Sequence, residues 1–216
     1  MKPRNFTRAV CLIAVASLIG CARSPNNAAE KSTYEKIQRE LIEMKSYESE
    51  ASVTYKSNKG SNTYNILQQC RSTGEYRVEV TAPENYAGNV TMSDGTTIFQ
   101  YNNRIKGKIS IGTNENKERS EIFVTSFVKN YLSSQEVSVS AGSFDEGRCT
   151  ILEAVVPGGH PYLSKEKLWV DNKSLKPVKL VIFDPDDSER IVVTYDTFEY
   201  NIKLEDSCFK PEADMN

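Results

Sequence analysis

The sequence is poor in the residue types that carry most enzyme chemistry. Its 216 residues include one histidine, His160, one tryptophan and five cysteines. It has no phosphate-binding glycine loop, no serine-centred nucleophile elbow and no zinc-binding helix motif. These absences predict a protein that is not an enzyme and that holds neither a cofactor nor a metal ion.

Neither charge sign dominates, and no apolar run is long. The chain carries 27 basic and 29 acidic residues, a formal net charge of −2. A protein with this balance has no basic footprint for nucleic acid, so no nucleic-acid partner is expected. The longest apolar stretch, Ala9–Leu18, is about ten residues, whereas a membrane-spanning helix needs roughly 20.

The start of the chain has the pattern of an export signal. Three basic residues (Lys2, Arg4 and Arg8) precede the short apolar stretch, and Gly20-Cys21 follows it. Leu18-Ile19-Gly20-Cys21 resembles a bacterial lipobox, which predicts a signal peptide over residues 1–20 and lipid attachment at Cys21. An ordinary signal peptide with a chance cysteine, or a short uncleaved anchor, are the alternatives. Two or more acyl chains would hold the protein stably on a membrane.

Three cysteines remain beyond Cys21: Cys70, Cys149 and Cys208. They are too far apart in sequence, with one histidine, to indicate a zinc site. One disulfide with a free thiol and three buried thiols both fit the number. We favour buried thiols, because free cysteine behaves as a small hydrophobic residue.

The rest of the chain is organised as one domain behind a tether. Residues 21–31 are small and polar, which predicts a flexible tether. The domain, residues 32–216, opens with a helix capped by Ser32 or Thr33 and ending near Lys45–Tyr47. Apolar residues recur on one face of this helix at three- and four-residue steps: Tyr34, Ile37, Leu41 and Met44.

Beyond this helix, the hydrophobic period changes to two, which indicates β-strands. Asp94-Gly95 is a strong hairpin signal between two of them. The strands predicted before a polar loop at 112–119 are Ser49–Lys56, Thr63–Arg71, Glu75–Ala82, Asn89–Met92, Thr96–Tyr101 and Arg104–Ile111.

A second amphipathic helix interrupts the strands and opens at Ser120 or Glu121. Its apolar stripe comprises Ile122, Phe123, Phe127, Tyr131 and Leu132. The strands predicted after it are Val137–Phe144, Arg148–Val156, Lys165–Asp171, Pro177–Phe183 and Glu189–Tyr200. An antiparallel sheet of about ten or eleven strands curls rather than staying flat. The predicted fold is therefore an α+β half-barrel with two helices in its concave face.

This order of elements resembles the LolA/LolB/RseB superfamily of bacterial envelope proteins over roughly residues 32–212. Three local features carry the resemblance. They are the Tyr34–Tyr47 helix that leads directly into a strand, the hairpin Leu168-Trp169-Val170-Asp171 to Leu175-Lys176-Pro177-Val178-Lys179-Leu180, and a short C-terminal segment around Phe209.

Within that superfamily, a small, mildly acidic lipoprotein rich in Lys, Asn and Ser is most similar to clostridial germination lipoproteins of the GerS type. This resemblance implies a non-catalytic protein that binds and activates a zinc-dependent N-acetylmuramoyl-L-alanine amidase of the CwlD type. It implies a role in spore cortex modification, with muramic-δ-lactam as the outcome, and in germination. The protein would then face the cortex from the forespore membrane. A homodimer formed by strand exchange is a further expectation.

The alternative function is a lipid or lipoprotein carrier or sensor that uses the concave apolar cavity. Such a protein needs a roomy cavity, whereas five large residues are predicted to fill this one: Tyr34, Phe123, Phe127, Tyr131 and Trp169. That difference favours the interaction role. No residue stands out as a partner contact.

Two groups of residues are weak candidates for chemistry. A Cys149–His160 dyad is conceivable, but a core thiol and a loop histidine explain these residues better. Asp184, Asp186 and Asp187 lack the spacing of a calcium loop and predict a solvated hairpin turn.

Overall fold

A computed structural model describes residues 25–112, 121–157 and 162–211. Residues 1–20, predicted as a signal peptide, and also Cys21 and His160 lie outside these ranges, so the expectations for them stay predictions. Within the described ranges, no helix has both the length and the apolar character needed to cross a membrane.

Helix α1 spans Pro25–Glu43 and begins earlier than the sequence predicted. Proline is favoured in the first turn of a helix, and Ala28 and Ala29 favour helix. Residues 25–31, predicted as part of a flexible tether, are therefore helical. The helix also ends before Lys45–Tyr47, because Tyr47 already pairs with the second strand.

Six strands follow α1 as an antiparallel meander. The last of them begins later than predicted, because Asn102 Oδ1 accepts the backbone N–H groups of Arg104 and Ile105 in a turn. The strands are β1 Ser46–Ser57, β2 Gly60–Arg71, β3 Tyr76–Ala82, β4 Val90–Ser93, β5 Thr97–Asn102 and β6 Gly107–Gly112.

Helix α2 spans Val124–Ser133 and is followed by a second meander of five strands. The helix starts after the predicted Ser120 or Glu121, because extended Phe123 precedes its first turn and provides no side-chain cap. The strands are β7 Val137–Phe144, β8 Gly147–Val155, β9 Lys165–Asp171, β10 Pro177–Phe183 and β11 Glu189–Tyr200. A short 3-10 helix, Asp206–Phe209, comes last.

The two meanders form one eleven-stranded sheet. Its strand order is β6-β5-β4-β3-β2-β1-β11-β10-β9-β8-β7, all neighbours being antiparallel. The last strand returns to the first, with Val53 opposite Val193 at the seam. The sheet is curled and open, with β6 and β7 as its edges. The predicted α+β fold is confirmed.

The hydrophobic core lies on one face of this sheet, under the two helices. We call it the inner face and define it by Val53, Leu168 and Val193, which are at most 1% exposed. The other face, which carries Trp169 and Lys179, is the outer face. On α2, Phe127 is fully buried against the inner face. Period-two alternation places the two sets of side chains on opposite sides of each strand.

A buried polar network fixes the chain where it enters α2. Gln68 Oε1 accepts hydrogen bonds from Tyr47 Oη at 3.2 Å and from Ser49 Oγ at 3.1 Å. Its Nε2 donates to the backbone oxygen of Ile122 at 3.2 Å. Because Gln68 is fully buried on β2, these bonds attach the segment before α2 to the first meander.

The predicted Asp94-Gly95 hairpin is present between β4 and β5. Asp94 Oδ1 accepts the backbone N–H groups of Thr96 and Thr97. Gly95 has φ +88°, a conformation that glycine adopts without steric cost. The turn therefore depends on both residues of the dipeptide.

Candidate functional site

The cysteine named as a conceivable nucleophile is placed for packing rather than for reactivity. Cys149 is 1% exposed on β8, and burial together with the nearby Asp171 charge raises the pKa of its thiol. A nucleophilic cysteine needs the opposite shift. Its suggested partner, His160, lies outside the described residues.

The aspartates of the β10–β11 turn hold the hairpin rather than a cation. Asp184 Oδ1 accepts the backbone N–H groups of Asp186 and Ser188, and Oδ2 accepts Arg190 Nε at 2.6 Å. These bonds lower the pKa of the Asp184 carboxyl. The hairpin turn is as predicted, but Asp184 is buried rather than solvated. No cluster of three or more metal-ligating side chains occurs in the described residues.

The three described cysteines are free thiols. Cys70 and Cys149 are buried, as expected. Cys208 is half-exposed because it lies in the C-terminal 3-10 helix rather than in the sheet, so the prediction of a third buried thiol is wrong.

Four of the five large residues predicted to fill the concave face do so. Phe123, Phe127 and Tyr131 are buried, and half-buried Tyr34 packs against them with its Oη 3.1 Å from Tyr131 Oη. Trp169 is the exception. It lies on the outer face, with Lys179 Nζ 5.1 Å from its ring centroid, because neighbouring Leu168 and Val170 point inward.

The inward position that sequence reasoning missed belongs to Glu166. It is fully buried on β9, on the same face as Leu168. Its Oε1 accepts a hydrogen bond from Asn130 Nδ2 of α2 at 2.9 Å. Burial, opposed by that hydrogen bond and assisted by the Glu121 charge, raises the pKa of Glu166 to about 7. The alternation of β9 could have located it, because Glu166 shares the register of Leu168 and Val170.

At one edge of the sheet, no strand in the described part of the chain pairs with the outer side of β7. β7 contains no charged residue and no proline, and its residues 137–141 are exposed. Edge strands in natural proteins are usually guarded by charge, proline, a bulge or a covering element, since their unpaired backbone groups attract other strands. β7 therefore offers a ready template for strand pairing.

Aliphatic side chains accompany this open edge. Val137 and Val139 pair with the buried Ala154 and Leu152, which places them on the inner face beyond the cover of α2. The two valines are 47% and 43% exposed, Leu132 on α2 is 56% exposed, and Ile42 on α1 is 48% exposed. Ile42 and Leu132 line the same small crevice between the helices. We call these four residues and the β7 backbone the edge surface.

The opposite edge, β6, has a different character. Ile109 is 60% exposed there, and the turn before β6 carries Ile105 between Arg104 and Lys106. Basic residues beside an edge discourage pairing with another strand. Ile109 on β6 is therefore a matched control for Val139 on β7, because both are exposed aliphatic residues on an edge strand and the charges beside the two edges differ.

A groove of about 680 Å³ opens at the end of the sheet where the β1–β2 and β10–β11 hairpins turn. Its apolar lining includes Val156, Leu163 and Ile191, and its charged lining includes both signs, with Lys59 and Glu121. Between the helices, by contrast, the crevice beside Leu132 has a volume of only about 10 Å³. The described helices thus fill the middle of the concave face and leave room at one end.

A protein-family profile described as "Sporulation protein YdcC-like" matches residues 6–209. The chain belongs to this YdcC-like sporulation family. Among curated proteins, none matches it at a significant level.

Several solved structures are similar to this YdcC-like chain, and the first of those described next shares its fold. An uncharacterized conserved protein from Thermus thermophilus superposes with a TM-score of 0.54 at 10% identity, over 87% of this chain and 96% of that one. The GerS lipoprotein, in the structure of the CwlD amidase from Clostridioides difficile in complex with it, is 27% identical over 80% of this chain and 96% of that one, with a TM-score of 0.48. A LolA superfamily protein from Nitrosomonas europaea is 13% identical, covering 84% and 97%, with a TM-score of 0.44. The predicted likeness to GerS and to LolA superfamily proteins is thus found among solved structures.

Proposed function

We propose that this YdcC-like protein is a non-catalytic, membrane-anchored lipoprotein that binds and activates a cell-wall amidase of the CwlD type during sporulation. Membership of a sporulation family supports the setting. The partner class is suggested by GerS, 27% identical in sequence, whose structure includes the CwlD amidase. The observation that carries the proposal is the edge surface. An uncharged strand that pairs, among the described strands, with β8 on one side suits a protein partner, because exposed aliphatic residues lie beside it.

The edge surface would take its partner by strand addition. In that mode, main-chain hydrogen bonds to an edge strand give affinity, and alternate side chains give specificity. On β7, Val137 and Val139 alternate with Ser138 and Ser140, so one side of an added strand would meet aliphatic side chains. The amidase would supply the catalytic zinc. This chain would supply the surface that binds the amidase and holds it in its active conformation.

Mutating one edge of the sheet at a time tests the proposal. We expect Val139→Asp in the mature chain to abolish co-elution with the amidase of the same organism in size-exclusion chromatography. Release of stem peptides from peptidoglycan, and hence muramic-δ-lactam formation, should fall to the level of the amidase alone. The matched control, Ile109→Asp on β6, should leave both unchanged. A Val139→Asp protein that still binds and activates would refute the role of this edge.

The anchor follows from the export signal rather than from the fold. Lipidated Cys21 would hold the domain outside the cytoplasm, on the forespore membrane facing the cortex. We expect the intact native protein to begin at Cys21 and to carry the mass of the acyl chains there, and Cys21→Ser to lose that mass. A native protein without acyl mass at Cys21 would contradict lipid anchoring.

The same edge could pair with a second copy of this chain, as expected from strand exchange. Light scattering gives the molar mass of the free protein and of its mixture with the amidase. These masses show whether the β7 edge is taken by a second copy of this chain or by the amidase. A dimer that persists in the complex would show that the amidase uses another surface. A monomer with a one-to-one complex would leave β7 to the amidase.

The groove near Ile191 favours the second candidate function, a lipid or lipoprotein carrier. Apolar walls suit the acyl chain of a lipid. Solvent extraction of the purified protein followed by mass spectrometry tests it. Stoichiometric lipid in the native protein, lost in Ile191→Asp, would support carriage; an extract free of lipid would count against it.

A further inference from the structure

Glu166 occupies an unusual place for an acidic residue. It is fully buried on the inner face of β9, beneath α2. Its cross-strand neighbours are apolar: Ala154 on β8 and Ile182 on β10, both fully buried. An ionised carboxylate in such surroundings is costly unless a cation or several hydrogen bonds accompany it.

The described residues provide no such compensation. Asn130 Nδ2 donates one hydrogen bond to Oε1, and Oε2 has no hydrogen-bond partner among the described residues. The charged group that acts on Glu166 is Glu121, from the segment before α2, and it carries the same sign. From each element packed around it, β8, β10, α2 and the segment before α2, Glu166 therefore meets an apolar, neutral or like-charged residue.

The single hydrogen bond of Glu166 is also a connection between helix and sheet. Asn130 lies in the second half of α2, and its backbone oxygen accepts the N–H of Ser134 at 2.8 Å, where the helix ends. Leu132 of the edge surface lies in the same turn. A change in the charge of Glu166 thus acts directly on the helical turn that borders β7.

We propose that Glu166 is a protonation-controlled latch between β9 and α2. With its carboxyl neutral, no buried charge opposes the packing of the C-terminal half of α2 on the sheet, and Asn130 keeps its hydrogen bond to Glu166. With the carboxyl ionised, an unpaired negative charge lies beneath the helix and that half of α2 opens more often. This latch goes beyond the proposed function; only its consequence for the partner, a looser Leu132 and weaker docking, rests on that function.

The direction of the pH effect follows from proton linkage. The pKa of Glu166, raised from 4.5 to about 7, means that the docked state binds the proton more tightly than the open state does. Below pH 4.5 both states are protonated and the latch is fully closed. Between about pH 4.5 and pH 7 the opening equilibrium constant rises by about tenfold per pH unit, and above about pH 7 it levels off because the docked state is then ionised as well.

Amide hydrogen exchange of α2 in the mature chain, measured without partner from pH 5 to pH 8 and corrected for intrinsic rates, tests the latch. We expect the protection of the 130–134 amides to fall with rising pH in the native protein and to stay constant in Glu166→Gln. Glu153→Gln, on the outer face of β8, is the matched control and should follow the native protein. An identical pH dependence in Glu166→Gln would overturn the proposal.

Two further measurements keep the result interpretable. Carboxyl carbon NMR should show Glu166 titrating far above an ordinary glutamate, and Glu121→Gln should lower that midpoint; an ordinary midpoint would overturn the latch. Amidase binding should weaken from pH 6 to pH 8 in the native protein but not in Glu166→Gln. If α2 opens with pH while no amidase binds at any pH, the proposed function fails and the latch stands.

Discussion

Two glutamates on neighbouring strands show how differently the two faces of the sheet treat the same side chain. Glu153 on β8 faces outward, half-exposed, with Lys167 Nζ 2.8 Å from its Oε2. Glu166 on β9 faces inward, fully buried, with one neutral hydrogen-bond partner. The first keeps a counterion and solvent, whereas the pKa of the second is raised to about 7.

This contrast extends along the second meander. Outer-face lysines have acidic partners within reach: Lys165 Nζ is 2.5 Å from Asp187 Oδ1, and Lys179 Nζ is 3.8 Å from Glu189 Oε1. Such exposed pairs contribute little individually because water screens them. The inner face instead stabilises the fold by apolar burial. Matched substitutions on the two faces should therefore have very different effects.

The largest difference is expected for phenylalanine. Phe127→Ala removes a fully buried ring from the inner face and should lower the free energy of unfolding by about 3–5 kcal/mol. Phe183→Ala, on the outer face beneath Lys165 and Lys167, should cost about 1 kcal/mol, since that ring is half-exposed. Urea denaturation of both variants measures the two losses in the free energy of unfolding. Equal losses would show that the inner and outer faces do not differ in this way.

On the inner face, replacing Glu166 with glutamine should raise the free energy of unfolding, whereas Phe127→Ala lowers it. Because the folded-state pKa of Glu166 is raised, its stability contribution is complete below pH 4.5 and lost as pH rises through about 7. Glu166→Gln should therefore be more stable than the native protein by about 3 kcal/mol at pH 8, and equally stable at pH 4. Chemical denaturation at the two pH values provides the measurement, and a gain that is the same at both would contradict it.

Two adjacent glutamines on β2 sharpen the comparison further. Gln68→Ala leaves the Ile122 carbonyl and the Tyr47 hydroxyl without their buried partner and should cost about 2–3 kcal/mol. Gln69→Ala removes one hydrogen bond to Glu48 on the outer face and should cost about 0.5 kcal/mol. Thermal denaturation of the two variants would show whether the face of the sheet, rather than the residue type, determines the loss of stability.

The smallest effect should come from the outer ion pair itself. Glu153→Gln breaks the contact with Lys167 and should change the free energy of unfolding by less than about 0.5 kcal/mol. Repeating the denaturation in about 1 M salt should remove even that difference, because salt screens exposed charges. A salt-independent loss above about 2 kcal/mol would mean that the outer face contributes more than its exposure suggests.

Local sequence signals were sufficient for most elements. β7, β9, β10 and β11 have the bounds that alternation predicted, and Asp94-Gly95 forms the expected hairpin. The start of α1 was placed too late, because a polar stretch with two alanines fits both a tether and a helix. Alternation should also have assigned Trp169 to the outer face and Glu166 to the inner one. Trp169 is large and apolar, but its register beside Leu168 and Val170 decides which face it occupies.

By itself, the sequence determined the strand periodicity, the apolar faces of the two helices and the hairpin turns, because each depends on residues close together in the chain. The tertiary structure alone decided that β11 closes against β1, and so left β6 and β7 as the edges. It also placed Asn130 and the like-charged Glu121 around Glu166. These features join residues far apart in the chain, and their energetics depend on burial and on distances that no local pattern encodes.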